Sequence, residues 1–146
     1  MRKYAIEVTV AILVLALLTG CATTSMLKLT PEEQMYLEKA KAFPLEFTIP
    51  KSQADEAWGR AQSFIGRFSS MKLQTVTDFV IQTYNPISPN VDFGYYVTKT
   101  PMGDKVQITV QCNVGNIFSG ADANTNAHIL AYYIKTGELV PRLIAK

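Results

Sequence analysis

The sequence predicts an α+β fold, with a curved antiparallel sheet of about four strands, helices packed on one face, and an extra N-terminal helix. Three observations lead to this prediction. Apolar residues recur at helical spacing between residues 54 and 68. Residues 106–114 alternate strictly between apolar and polar side chains, and a helical segment from about 121 to 135 is followed by Gly137. Strands that succeed one another between helices close as a sheet with helices on one side.

The first helix is predicted from Pro31 to about Phe43. Thr30 can cap it, Pro31 suits the first helical position, and Glu33 can accept a hydrogen bond from the backbone N–H of the cap. Pro44 ends this helix, because the residue before a proline avoids the helical conformation. Residues 45–49 then alternate between two prolines, which predicts a short strand near a sheet edge.

A second helix is predicted to begin at Ser52, where Ser52 to Asp55 has a capping-box pattern. Its apolar stripe is expected to face the core, with Trp58 as the anchor of the helix on the sheet. Gly59, Ser63 and Gly66 lie on another face, either as tolerated surface residues or as a place where a partner approaches closely. The stripe consists of Ala54, Trp58, Ala61, Ile65 and Phe68.

The strands of the sheet are predicted from residue 73 onward. Residues 73–84 are rich in Thr, Val, Ile and Phe and form one long strand or two broken ones. A proline-containing loop at 85–90 precedes an alternating strand with Phe93, Tyr95 and Val97, and residues 100–104 form a turn. The segment 106–114 is the clearest strand, with one buried face and one wet face.

The beginning of the chain predicts an export signal. Met1-Arg2-Lys3 is positively charged, an apolar run extends from Val8 to Leu18, and Leu18-Thr19-Gly20-Cys21 follows it directly. The run is shorter than the roughly 20 apolar residues that span a bilayer. The string resembles the cleavage and lipidation signal of bacterial lipoproteins. That resemblance implies acyl chains on Cys21, which attach the protein to a membrane.

The resemblance to lipoproteins also implies a location. In double-membraned bacteria an Asp directly after the lipidated cysteine retains the protein in the inner membrane, and this chain has Ala22. We therefore expect a cell-envelope protein, lipid-anchored to the outer membrane and facing the periplasm. The predicted organisation is a signal peptide at 1–20, a lipidated tether at 21–29 and a single α+β domain at 30–146. Fully extended, the tether reaches about 30 Å.

Part of the mature sequence also resembles the TBP-like or helix-grip α+β domain of some bacterial lipoproteins, including the outer-membrane-assembly group. The resemblance begins at Phe47 and depends on Asp55-Glu56-Ala57-Trp58 at the start of a helix, on Val80-Ile81-Gln82-Thr83 and on Tyr95-Tyr96-Val97. It covers about two thirds of the chain. It implies a helix-covered sheet, and it does not include the helix predicted from Pro31.

Composition argues against a nucleic-acid partner. The chain has 14 basic and 12 acidic residues, and removal of Arg2, Lys3 and Glu7 with the signal leaves 12 and 11. A nearly neutral protein lacks the basic surface that competes with counterions on nucleic acid. With Cys21 lipidated, Cys112 has no intramolecular disulfide partner. It lies in register with Val110 and Val114, so a buried and unreactive thiol is expected.

Two strings resemble ligand loops without completing them. The segment Gly115 to Gly120 lies between a strand and a helix, as a phosphate loop does, but Ala121 and Asp122 replace the Lys and Ser or Thr that such a loop needs. Asp122, Asn124 and Asn126 match the first ligands of a calcium loop, but its glycine and its bidentate glutamate are missing. We expect no metal ion or other cofactor.

His128 is the only histidine, and sequence alone supplies no nucleophile and orienting partner for it. A position on the surface or in a groove of the last helix is expected instead. The aromatic residues leave two interpretations open: core packing, or a groove between the sheet and the last helix, since tyrosine combines an apolar ring with a polar hydroxyl. The groove would be lined by Trp58, Tyr95, Tyr96, His128, Tyr132 and Tyr133.

Three function classes follow from these observations. The first is a non-enzymatic interaction or accessory module, bound to the membrane through Cys21 and to an envelope protein partner. The second is a periplasmic small-ligand-binding lipoprotein that uses the tyrosine-lined groove. The third, a hydrolase based on His128, lacks a recognisable catalytic set. The sequence favours the first class.

Overall fold

The computed structural model describes residues 28–87, 92–115 and 119–145. Within these ranges, five antiparallel strands form one open sheet, and three helices pack against it. The predicted α+β class is therefore confirmed, with one strand more than expected. The signal segment and Cys21 lie outside the described residues. Within the described part, no helix is both long enough and apolar enough to cross a bilayer.

The first helix, α1 (Pro31–Ala42), has the predicted start. The Thr30 hydroxyl accepts a hydrogen bond from the Glu33 backbone N–H at 3.2 Å, and the Glu33 carboxylate accepts one from the Thr30 N–H at 2.8 Å. Hydrogen bonds from its own backbone N–H and from the Thr30 side chain lower the pKa of the neighbouring Glu32. α1 buries Tyr36 and Ala40.

Strand β1 (Glu46–Pro50) lies at one edge of the sheet, as predicted, and pairs with the last strand. The helix after it, α2 (Ala54–Phe68), starts differently from the prediction. Residues Lys51–Gln53 form a 3₁₀ turn that continues directly into α2, so the N-cap is Gln53, whose side chain makes no capping hydrogen bond. The predicted capping box at Ser52 is therefore wrong, because this turn places Ser52 inside a helical segment.

The predicted apolar stripe of α2 faces the core, with Phe68 only half-buried at its end. Ala57 and Phe64 are buried as well, so the buried face is wider than the stripe. Gly59 and Gly66 are exposed, and a Cβ at either would meet no atom within 4 Å. This supports the interpretation of both as surface glycines.

The remaining strands are β2 (Leu73–Val76), β3 (Val80–Thr83), β4 (Phe93–Met102) and β5 (Lys105–Val114). Their order in the sheet is β1-β5-β4-β3-β2. The segment 73–84 thus forms two strands, which accounts for the fifth strand. β4 and β5 are the longest pair, joined at Gly103, whose φ of +67° is a conformation that glycine adopts without strain.

The last helix, α3 (Gly120–Thr136), packs on β5 with α1 and α2 as neighbours. Gly137, with φ of +79°, ends it, and its N–H donates to the Tyr133 carbonyl at 2.8 Å. The chain then turns through a 3₁₀ segment, Pro141–Leu143, and its tail returns along α3 to Asn126. The core therefore lies between the helices and one face of the sheet. The other sheet face is the wet face that the alternation of residues 106–114 predicts.

Candidate functional site

Two of the predicted groove residues lie on opposite sides of the sheet. Tyr95 points toward the helices, is 2% exposed, and makes an edge-to-face contact with Phe64 at 5.7 Å between ring centroids. Tyr96 alternates to the other side of β4, opposite Gln111 of β5 and Gln82 of β3. One groove on the helix side of the sheet therefore cannot contain both rings.

Tyr132 belongs to an aromatic cluster between α1 and α3. Its ring lies edge-on to Tyr36 at 5.6 Å and to Phe43 at 5.9 Å. The Tyr132 hydroxyl donates to the Glu138 carboxylate at 3.0 Å. Desolvation, with a smaller contribution from Glu138, raises the pKa of Tyr132, while burial raises the pKa of Tyr36 to about 12. The cluster holds α1 against α3.

Tyr133, next to it, faces α2 instead, where its ring lies 6.1 Å from that of Phe64. Trp58 lies elsewhere, 6% exposed, with its indole N–H donating to the Thr77 carbonyl at 3.2 Å. The Lys99 Nζ lies 4.9 Å from the centre of the Trp58 ring, at a cation–π distance. Trp58 thus links α2 to the turn before β3 and to β4.

His128 serves as a link between two elements. Its Nδ1 lies 2.8 Å from the Phe43 carbonyl oxygen, directly after α1. Because a carbonyl only accepts hydrogen bonds, this contact places the proton on Nδ1. The half-buried ring fits the predicted position in a helix groove. The structure therefore does not bring the six predicted residues into one groove: Trp58, Tyr95, Tyr96, His128, Tyr132 and Tyr133. Most of them pack against neighbouring side chains, which is the other interpretation that the sequence left open.

A small cluster of polar side chains lies between β5 and the last helix. The Tyr95 hydroxyl is buried and makes no hydrogen bond to the described residues, although the Cys112 thiol and the Asn126 carboxamide are its polar neighbours. Burial raises the pKa of Tyr95 well above its usual range and that of Cys112 to about 12. Cys112 is half-buried rather than buried as the sequence predicts, and it stays a neutral thiol at physiological pH, as an unreactive cysteine does.

Asn126 has a structural partner. Its carboxamide donates to the Ala145 carbonyl at 3.0 Å and accepts from the Ala145 N–H at 2.9 Å. This side chain is fully buried and holds the C-terminal tail on α3. It is therefore not free to join Asp122 and Asn124 as a calcium ligand. No group of three or more His, Cys, Asp or Glu side chains in the described ranges is arranged to hold a metal ion.

Two of the cavities in the described part of the domain open at different ends of it. One, of about 420 Å³, is lined by charges of both signs, on Lys51, Asp55, Asp78 and Lys99. The other, of about 590 Å³, lies between β5 and the start of α3. Its described lining contains uncharged side chains only, and four of them are carboxamides: Asn85, Gln111, Asn113 and Asn124.

The sheet face opposite the helices, which we call the open face, is equally uncharged near this cavity. The alternation along β3, β4 and β5 directs amide, hydroxyl and tyrosine side chains to it. Sequence reasoning identified the wet face of residues 106–114 but did not consider it as a site. The regular Gln and Thr positions between the apolar ones were the available signal. The open face includes Gln82, Tyr96, Thr98, Gln107, Thr109 and Gln111.

Comparison with protein-family models, with curated proteins and with solved structures gives no match. Cys21, the predicted lipidation site, lies outside the described residues.

Proposed function

We propose that this chain is a bacterial envelope lipoprotein, cleaved before Cys21 and held by acyl chains on that residue at the periplasmic side of the outer membrane. Its domain acts there as a non-enzymatic interaction or accessory module. The observation that carries the proposal is the string Leu18-Thr19-Gly20-Cys21 directly after a short apolar run. Two or more acyl chains make a stable anchor, whereas one chain binds only weakly.

The place where the anchored segment enters the domain supports a role as an interaction module. The carbonyl of Lys28 accepts a hydrogen bond from Arg142 at 3.3 Å, and Arg142 also pairs with Glu33 of α1 at 3.0 Å. The anchored segment therefore joins the domain on the helix side. Because only a few residues separate Cys21 from Lys28, the domain stays within about 30 Å of the bilayer, and its open face lies on the side away from that entry.

The hydrogen bond that His128 makes supports the non-enzymatic interpretation. The Nδ1 of this single histidine bonds to a backbone carbonyl, which is a structural contact, as described above. The tyrosine-lined groove of the small-ligand alternative has no counterpart, since Tyr95 and Tyr96 face opposite sides of the sheet. We therefore favour an interaction module over a binder that uses this groove.

The proposal is tested by expressing the full chain with a C-terminal tag in a double-membraned bacterium and separating the two membranes on a density gradient. We expect the tagged chain in the outer-membrane fraction. The matched variant Ala22→Asp, which changes one residue after Cys21, should move to the inner membrane. Recovery of the unchanged chain in the soluble fraction would contradict the proposal.

The module itself is tested by affinity isolation from the same envelopes. The control is residues 1–29 fused to the tag, which carries the anchor without the domain. We expect an envelope component that is recovered with the full chain and absent from the control. Identical recoveries would show that the domain engages nothing there.

A further inference from the structure

The open face carries almost no charge. Its positions on β3, β4 and β5 are mainly amides and hydroxyls with one tyrosine ring, all at least partly exposed, together with the apolar Val80 and Met102. Among the described strand positions on this face, only Glu46 on the edge strand and Lys105 beside the β4–β5 turn are charged. Solvated sheet faces usually rely on charged residues for solubility, so this composition indicates a surface made for neutral polar contacts.

The uncharged cavity opens beside this surface, where residues 110–114 of β5 extend past the end of β1. Gln111 lies on the open face and also lines the cavity, as does Asn113, which donates to the Asn85 carboxamide at 3.4 Å. Asn124 faces them from α3, while Leu45 and Val110 contribute apolar lining. A site of a few hundred Å³ with apolar walls and a few convergent polar groups is the usual form of a small-ligand pocket.

The chemistry of these groups selects the ligand. A carboxamide or a hydroxyl both donates and accepts hydrogen bonds, and so do the hydroxyl and acetamido groups of a sugar. The Tyr96 ring offers an apolar surface of the size of a sugar ring next to these polar groups. With Lys105 as the one basic residue among its described strand positions, this face has little to attract phosphate, nucleic acid or anionic lipid.

We propose that the open face and the adjoining cavity bind a neutral polysaccharide chain with hydroxyl and acetamido groups, of the kind found in cell-wall glycan strands. This inference rests on the proposed function, because a lipid-anchored domain with a tether of about 30 Å remains near such a polymer. The polymer lies across β4 and β5, with one sugar unit in the cavity beside Gln111. The anchor joins the helix side, so it leaves this surface accessible.

The test uses the full lipidated chain, extracted from membranes in mild detergent, and chitin beads as the neutral N-acetylated probe. We compare Gln111→Lys with Gln34→Lys, which makes the same change at an exposed position of α1. Wild type and Gln34→Lys should be retained equally, and Gln111→Lys at least tenfold more weakly. Retention should not change between low salt and about 0.5 M salt, because no ion pair contributes. Heparin beads, an anionic polysaccharide, should retain none of the three.

Four outcomes decide the proposal. Absence of retention on chitin, or equal retention of Gln111→Lys and wild type, would overturn it. Retention on heparin instead of chitin, or a Gln111-dependent change in oligomeric state without chitin binding, would also overturn it. If Gln111→Lys does not fold, Gln111→Ala is measured in its place and should lose retention in the same direction. Acyl chains are measured on the same protein, so a lipidated chain that does not bind chitin refutes this inference alone, whereas an unlipidated chain refutes the proposed function.

Discussion

Tyr95 and Tyr96 are adjacent in β4 and belong to different environments. Tyr95 is enclosed beneath the helices, with a buried hydroxyl, while Tyr96 stands on the open face between strands β3 and β5. The two-residue period of a strand produces this separation. It divides the aromatic residues of the sheet between the core and the surface that we propose as the binding site.

Trp58→Ala should lower the free energy of unfolding by about 3–5 kcal/mol, as truncation of a buried aromatic side chain does. Trp58 is 6% exposed, donates to the Thr77 carbonyl and makes a cation–π contact with Lys99. Its loss therefore leaves a cavity and an unpaired carbonyl. The measurement is urea unfolding of the unlipidated chain from Ala22 onward, followed by far-UV circular dichroism. An unchanged urea midpoint would show that Trp58 does not anchor α2.

Gly59→Ala, one residue further along α2, should have the opposite effect. Gly59 is exposed within the helix, and an added Cβ meets no atom within 4 Å. Alanine favours the helix by up to about 1 kcal/mol over glycine, so the urea midpoint should rise. A fall in the midpoint would mean that this face of α2 is covered.

Gly94→Ala should destabilise the protein, although it replaces glycine by alanine just as Gly59→Ala does. A Cβ at Gly94 would lie 2.9 Å from both the Thr83 Oγ1 and the Tyr84 carbonyl oxygen, closer than such atoms approach. The clash involves backbone, and it would also disturb the bond from the Tyr95 N–H to the Thr83 hydroxyl at 2.8 Å. We expect a loss of about 1–3 kcal/mol. Equal urea midpoints for Gly94→Ala and Gly59→Ala would contradict the close approach of β3 and β4.

Alkaline pH should destabilise the fold in a way that depends on Cys112. Burial raises the pKa of Cys112 from 9.0 to about 12, so the unfolded chain releases this proton at lower pH than the folded chain. Stability from this group is complete below pH 9 and is lost as pH rises through 12. Cys112→Ala should therefore show a shallower fall in urea midpoint between pH 9 and pH 11 than wild type. The same slope in both proteins would refute the partial burial of the thiol.

The sequence predicts the elements whose patterns are local. The capping residues of α1, the stripe of α2 and the alternation of β5 are all confirmed, because each depends on neighbours within a few turns or along one strand. The predicted start of α2 at Ser52 is wrong, since the 3₁₀ turn Lys51–Gln53 already includes Ser52 and leads directly into the helix. The number of strands between 73 and 84 depends on a hairpin that side-chain periodicity does not specify.

The candidate site is less predictable from the sequence because it depends on strand register and on how the last helix packs on the sheet. Alternation indicates that Gln111 faces water, but only the register of β4 and β5 places it opposite Tyr96. The cavity also needs Asn124 of α3 and Asn85 after β3, which come together only when the helix packs on the sheet. The aromatic residues, by contrast, were grouped by type, and their positions on different elements and faces separate them.

The central claim is the lipid anchor on Cys21, and labelling with radioactive palmitate tests it most directly. The full chain and its Cys21→Ser variant are expressed in a bacterium, and label and detergent-phase partitioning are measured for both. We expect label and detergent partitioning for the unchanged chain and loss of both for Cys21→Ser, with the fold from Thr30 onward intact. Equal label in the two proteins, or no label in either, would contradict the lipoprotein assignment and the location that depends on it.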